Sequence, residues 1–105
     1  MIDNMQRVRG LLGICQRAGM IKTGEETVEM AIKRGGAIIA LIDTSMSARG
    51  KKGIKDACEY AHLRMFELPE DLLGDAIGKP GRMAACITDA NMAKKLSEYL
   101  SSIDE

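Results

Sequence analysis

The side chains best suited to nucleophilic or acid–base work are the single histidine, His62, and three widely spaced cysteines, Cys15, Cys58 and Cys86. A Cys–His pair needs a thiol beside His62, and no local motif puts one there. A lone histidine near a helix end more often serves as a cap or a surface residue. No Cys-x-x-Cys occurs, which removes the usual zinc and thioredoxin patterns, and no ligands cluster for a metal. The adjacent acids Glu25-Glu26 fall at a helix start, where capping and the helix dipole account for both. Gly78-Lys79-Pro80-Gly81 has neither the spacing nor the following Lys-Ser/Thr of a P-loop. Catalysis therefore has thin support, and no cofactor or metal is expected.

Anion binding has better support. Gly24 opens a helix directly after an extended piece carrying Lys22. A helix start presents free backbone N–H groups, and glycine lets a partner's backbone come close. Glu25, Glu26 and Thr27 form the first turn; Lys33 and Arg34 lie on the same helix or at its end. The loop Lys79-Pro80-Gly81-Arg82 pairs two cations with a rigidified bend. If the two elements are neighbours, they frame a cationic notch that would position a nucleic acid through its phosphates. A second cluster, Arg49, Lys51, Lys52 and Lys55, is explained equally well as a solvated helix face.

The 105 residues, 46% hydrophobic and 29% charged, suit one small domain. A chain of this size buries roughly two thirds of its unfolded surface, enough for one core without staples. Aromatics are only 3% and Trp is absent, so an aliphatic core of Ala and the eight Met is expected, and a stacking platform for single strands is not. No apolar run approaches the ~20 residues of a membrane span. The start, Met1-Ile2-Asp3-Asn4-Met5-Gln6, does not read as a secretory leader. Three buried thiols in a reducing cytoplasm are the plain reading of the cysteines. Net charge is zero, yet residues 1–55 hold ten Lys/Arg against five Asp/Glu, and residues 56–105 the reverse. Such a chain can show a basic face while staying neutral overall.

Periodicity places these residues on elements. Val8, Leu11, Leu12 and Cys15 make one face of a helix from Asp3 to Ala18, stopped by Gly19. Met20-Ile21-Lys22 is extended. Thr23 and Glu26 read as a capping box for a helix that Gly35-Gly36 ends. Ala37–Ile42 is a central strand covered on both faces. A third helix runs from about Ser47 to Ala61, with Gly50 and Gly53 as its weak points or as part of a mobile loop. Arg64–Leu68 is a second strand. Pro69, Glu70 and Asp71 open a short helix ending at Gly78. Met83–Thr88 is a further strand, Asp89 caps a last helix, and Ser101–Glu105 is a frayed tail. The alternation implies a three-layer α-β-α sandwich around a small, mainly buried mixed sheet.

Several stretches, in order and spacing, resemble a known family: Leu12-Gly13-Ile14-Cys15-Gln16-Arg17-Ala18-Gly19, Thr23-Gly24-Glu25-Glu26, Ala31-Ile32-Lys33-Arg34-Gly35, the strand ending at Asp43, Leu73-Gly74-Asp75-Ala76-Ile77-Gly78-Lys79-Pro80, and Ala84-Ala85-Cys86-Ile87-Thr88-Asp89. They are similar to the ribosomal-protein L-seven-Ae/L-thirty-e superfamily, and most of all to its small bacterial YlxQ-type branch. The resemblance covers about Leu11 to Leu100. It implies an α-β-α fold that binds kink-turn RNA, which bends sharply at tandem sheared G·A pairs. The start of the second helix enters the groove there, and the loop before the last strand covers a flipped-out nucleotide. On these terms Gly24 is the close-approach glycine, Arg34 the basic residue near the helix end, and Gly78 opens a covering loop of Lys79, Pro80, Gly81 and Arg82. The family's Asn-Glu pair falls on Glu26 and Thr27, and a lysine one turn later falls on Met30. The expected partner is structured RNA, ribosomal RNA included, bound by a cytoplasmic, non-enzymatic monomer that needs no membrane. The alternative is a protein-interaction module on the same fold.

Overall fold

The computed structural model describes residues 3–104, with side chains through Ser102. In chain order they form α1 (Asn4–Ala18), β1 (Ile21–Thr23), α2 (Glu25–Lys33), β2 (Ile39–Asp43), α3 (Ala48–Ala61), β3 (Arg64–Leu68), α4 (Leu72–Ile77), β4 (Ala84–Ile87) and α5 (Ala90–Asp104). The start read for a leader, Met1-Ile2, and the last tail residue, Glu105, lie outside the described residues.

The sheet runs β1-β4-β2-β3. β4 is antiparallel to both neighbours, with Lys22 opposite Cys86 and Leu41 opposite Ala85, while β2 and β3 are parallel. The period of two along β2 and β4 divides their side chains between two cores. Ile39, Leu41, Ala85 and Ile87 meet Val8, Leu12 and Cys15 of α1, Leu73 and Ile77 of α4, and Leu96 and Leu100 of α5. Ala40, Ile42, Ala84 and Cys86 meet Val28 and Ile32 of α2 and Ile54 and Cys58 of α3. The result is the expected three-layer sandwich with a mixed sheet. An apolar run without polar alternation is what a strand covered on both faces requires.

Packing magnitudes explain why glycines inside helices are tolerated. Full burial of Leu12 and Val8 contributes roughly 2 kcal/mol each. That outweighs the cost of Gly10 and Gly13 in the same helix, about 1 kcal/mol each relative to Ala. Gly50 and Gly53 lie inside α3 and not in a mobile loop. A Cβ on Gly53 would stand 2.6 Å from Glu29 Oε1 of α2, and one on Gly50 would stand 2.8 Å from Met46 Cε. Both of these closest contacts are with the far ends of flexible side chains, which can shift to admit a methyl group; burial of Ile54 and Cys58 is what carries the helix past its two glycines.

Several boundaries differ from the sequence expectations. The central strand is Ile39–Asp43, not Ala37–Ile42, because its register against β4 and β3 starts at Ile39. Thr23 does not cap α2: it is the last residue of β1, and Gly24 is the N-cap with no side-chain bond. Pairing with Ala85 holds Thr23 in the sheet, so the local capping pattern loses to the ladder. Pro69 is not the first residue of α4; Pro69–Asp71 form a turn, and the helix begins at Leu72 behind Asp71, whose φ is +66°. Ser101 and Ser102 are helical, the last turn being held by Leu100, which is buried in the core. The core is aliphatic, but of the described methionines only Met46 and Met92 are buried in it; Met5, Met20, Met65 and Met83 are at its edge and Met30 is exposed. Ala, Leu and Ile supply most of the core volume instead.

Candidate functional site

The two glycine-marked corners meet. Gly24 N donates to Ala84 O at 3.0 Å, fastening the start of α2 to the start of β4 and so to the end of the 79–82 loop. A Cβ built on Gly24 would lie 3.1 Å from Arg82 Nη1. Gly24 (φ +101°) and Gly81 (φ +86°) both take left-handed backbone that L side chains rarely adopt. Between them is an open depression of about 300 Å³, lined by Gly24, Glu25, Met46, Ser47, Gly81 and Arg82.

The first helical bond of α2 is Val28 N to Gly24 O at 2.9 Å, so the amides of Glu25, Glu26 and Thr27 precede the ladder. Gly24 has no side chain to cap them, and Glu26 is not engaged in a capping box. The corner therefore combines uncapped amides and the positive dipole end with one guanidinium and two exposed carboxylates. Chemically it can hold an anion against Arg82 and the amides, and accept hydrogen bonds on Glu25 or Glu26.

The 79–82 loop is seated by α4. Lys79 N donates to Gly74 O at 2.9 Å and Arg82 N to Lys79 O at 3.3 Å. A Cβ on Gly74 would meet Lys79 O at 3.0 Å, Pro80 Cα at 3.2 Å and Gly81 N at 3.3 Å, all of them backbone. The third wall, the β2–α3 connection, hangs on Asp43. This carboxylate is 1% exposed and accepts from Ser45 N (2.8 Å), Ser45 Oγ (2.6 Å) and Asp71 N (2.8 Å). Burial by itself pushes the Asp43 carboxyl up; the bonds from Ser45 and Asp71 and the Lys51 cation outweigh it and hold it below its ordinary value. Thr44 Oγ1 donates to Glu67 at 2.8 Å, tying the same connection to β3.

No family model matches the chain. Among curated proteins it is similar to the RNA-binding protein YlxQ of Enterococcus faecium, 35% identical over 98 residues that span 92% of this chain and 94% of that one. The chain belongs to the YlxQ family. A second YlxQ, the RNA-binding protein of that name in Bacillus subtilis (strain 168), is 31% identical over 91 residues, 86% of this chain and 91% of its own. Among solved structures, a Bacillus halodurans protein of unknown function superposes with a TM-score of 0.87 at 28% identity, over 90% of this chain and 97% of the other. The Giardia lamblia 15.5kD RNA binding protein shares the fold, with a TM-score of 0.74 at 17% identity over 99% and 91% of the two chains.

In this YlxQ family member the other residues singled out in the sequence fall farther from the corner. Lys22 is exposed on the edge strand β1, opposite Cys86 and so on the sheet face that α2 covers. Lys33 and Arg34 are at the far end of α2, about 13 Å along its axis from Gly24. Of the α3 cations, Lys51 pairs with Glu67 (3.5 Å) and Lys52 with Asp56 (2.7 Å), leaving much of that face self-neutralised. His62 caps α3 in a left-handed conformation, φ +59°. Cys58, one turn before it, is buried, and burial raises its thiol pKa to about 11, the opposite of an activated nucleophile. Among the described residues no helix is long and apolar enough to cross a membrane, and no three His, Cys, Asp or Glu side chains are grouped to hold a metal.

Sequence reasoning missed Gly74, Asp43, Ser45 and Ser47, which shape the corner. Gly74 and Asp43 stand inside the stretches that carried the family resemblance, but one sequence gives a supporting glycine or carboxylate no local signature.

Proposed function

We propose that this chain is a non-enzymatic RNA-binding protein of the cytoplasm. It captures structured RNA with a kink-turn-like bend, ribosomal RNA among its sources, at the corner where Gly24 meets Arg82. The observation that carries this reading is the contact of the uncapped α2 start with the 79–82 loop. Both relatives from Enterococcus and Bacillus are named RNA-binding proteins, which supports the same class of partner. One copy suffices, because both halves of the corner come from one chain.

On this reading each element has a part. Gly24 lets a sugar–phosphate backbone approach the free amides of Glu25, Glu26 and Thr27, with Arg82 beside them as counter-charge. Glu26, released from capping, accepts hydrogen bonds from guanine N–H edges exposed in the opened groove. Lys79, Pro80 and Gly81 cover the flipped nucleotide. Lys22, Lys33 and Arg34 reach RNA that continues past the corner along the α2 layer. Met30, 48% exposed where the family resemblance puts a lysine, gives up one phosphate contact. Binding only the bent form shifts the RNA toward it, and the protein supplies that differential affinity through a site already folded.

The test is a gel-shift series with a kink-turn RNA and a straight duplex of equal length at fixed salt. Preference for the kink-turn supports the reading. Equal affinity for both removes bend recognition.

A further inference from the structure

We infer that the exposed face of α1 is a second RNA surface, which takes the phosphate backbone of plain duplex RNA with no regard to sequence. This rests on the reading above only in its class of partner. Over its 15 residues α1 carries Arg7, Arg9 and Arg17 and no acid. All three arginines are exposed. Among the described residues the ion pairs are Lys51–Glu67 and Lys52–Asp56, so the cations of α3 are partly cancelled and those of α1 are not.

The arginines border two shallow depressions on either side of a ridge formed by Gly10 and Arg17. One, of about 520 Å³, lies between Arg9, Gly13 and α4 residues Asp75 and Ala76. The other, of about 460 Å³, lies between Arg7, Ile14 and Tyr99. Among the described residues Asp75 is the one carboxylate lining either depression, against three guanidiniums. Arg7 stands 5.6 Å from the Tyr99 ring centroid, a cation–π contact that restrains its guanidinium at the rim of this depression. Guanidinium groups match phosphate oxygens in pairs and are the cation of choice for such a surface.

Gly10 adds an argument from the opposite direction. It lies near the centre of an exposed helix face, its backbone is regular, and a Cβ there would meet nothing within 4 Å. Neither internal packing nor backbone geometry calls for glycine at this position, although it weakens the helix by about 1 kcal/mol. A polynucleotide backbone lying close along the ridge accounts for it. The surface also leads to the corner already described: α4, which walls the first depression, passes through Gly78 directly into the 79–82 loop.

The probe is a straight RNA duplex of about 16 base pairs, a length that spans two successive minor grooves, titrated across a salt series. The intact protein binds it weakly. The double variant Arg9→Gln/Arg17→Gln loses at least about fivefold in affinity at low salt, and its salt slope falls by about 1 to 2 as one or two phosphate contacts go. Gly10→Gln raises Tm yet weakens duplex binding, an outcome a merely structural role cannot give. Duplex binding of unchanged affinity and slope in the α1 variants overturns the inference, as does failure of the intact protein to bind duplex at all. Indifference to the kink together with duplex binding lost in the α1 variants removes the corner reading and keeps this one.

Discussion

Replacing Gly24 by alanine separates the geometry of the corner from its charge. The residue sits at φ +101° and ψ 137°, outside the regions open to a residue with a Cβ. Two hydrogen bonds hold it there, from its N–H to Ala84 O at 3.0 Å and from Val28 N to its carbonyl at 2.9 Å. The new Cβ would also stand 3.1 Å from Arg82 Nη1 and 3.8 Å from Thr27 Oγ1. The arginine terminus is flexible and yields at little cost, so the dihedral sets the energy. Strain of this kind costs on the order of 1–3 kcal/mol. For a domain of about 100 residues each kcal/mol moves Tm by roughly 4–8 °C, so the expected fall is about 10 °C. Arg82 gives by only a few tenths of an ångström and keeps its place, but the methyl group takes the space a sugar–phosphate backbone needs beside the amides, and kink-turn RNA affinity should fall about tenfold or more, the equivalent of 1.4 kcal/mol. The assay pairs a thermal melt with an RNA titration at a temperature where both proteins are folded. A Tm within about 2 °C of the parent, beyond what strain of this size allows, together with unchanged affinity would refute the reasoning. It would mean that the positive φ is not demanded and that RNA does not approach the α2 amides closely at this position.

Other predictions follow from the groups that support the corner. Asp43→Asn keeps the shape but not the charge that accepts three hydrogen bonds, and urea melts should show a loss of about 2–4 kcal/mol at pH 7. Because the folded-state pKa of Asp43 is depressed, its contribution is complete above the unfolded value near 3.9 and disappears as pH falls through the lower folded value. The stability difference between parent and variant should therefore narrow in acid melts below about pH 4. Gly74→Ala forces its methyl group against the backbone of Lys79, Pro80 and Gly81; overpacking of about 1–3 kcal/mol, partly offset by better helix propensity, should cost more in RNA affinity than in Tm. Cys15, Cys58 and Cys86 are free and buried, with thiol pKa values raised by burial. A thiol reagent at neutral pH should leave the native protein unlabelled and react with all three after denaturation.

The residues themselves determined most of the architecture. Val8, Leu12 and Cys15 at helical spacing, and the unbroken run before Asp43, carry their burial pattern in local periodicity, which needs no knowledge of the partner element. The residue types of the corner were equally legible: Gly24, Lys79 and Arg82 announce a close approach and positive charge. What the tertiary structure alone decided is which of these meet. Thr23 looked like a cap until pairing with Ala85 drew it into the sheet, and only that left the α2 amides and Glu26 free. Lys33 and Arg34, on the same helix as Gly24, were sent to the far end, while Arg82, some sixty residues away in sequence, arrived within van der Waals reach of the glycine. Gly74 and Asp43 took their roles from backbone and side chains brought in by other elements. Periodicity and capping are properties of neighbours along the chain; convergence of distant corners is fixed by how the sheet orders its strands, and no local pattern encodes it.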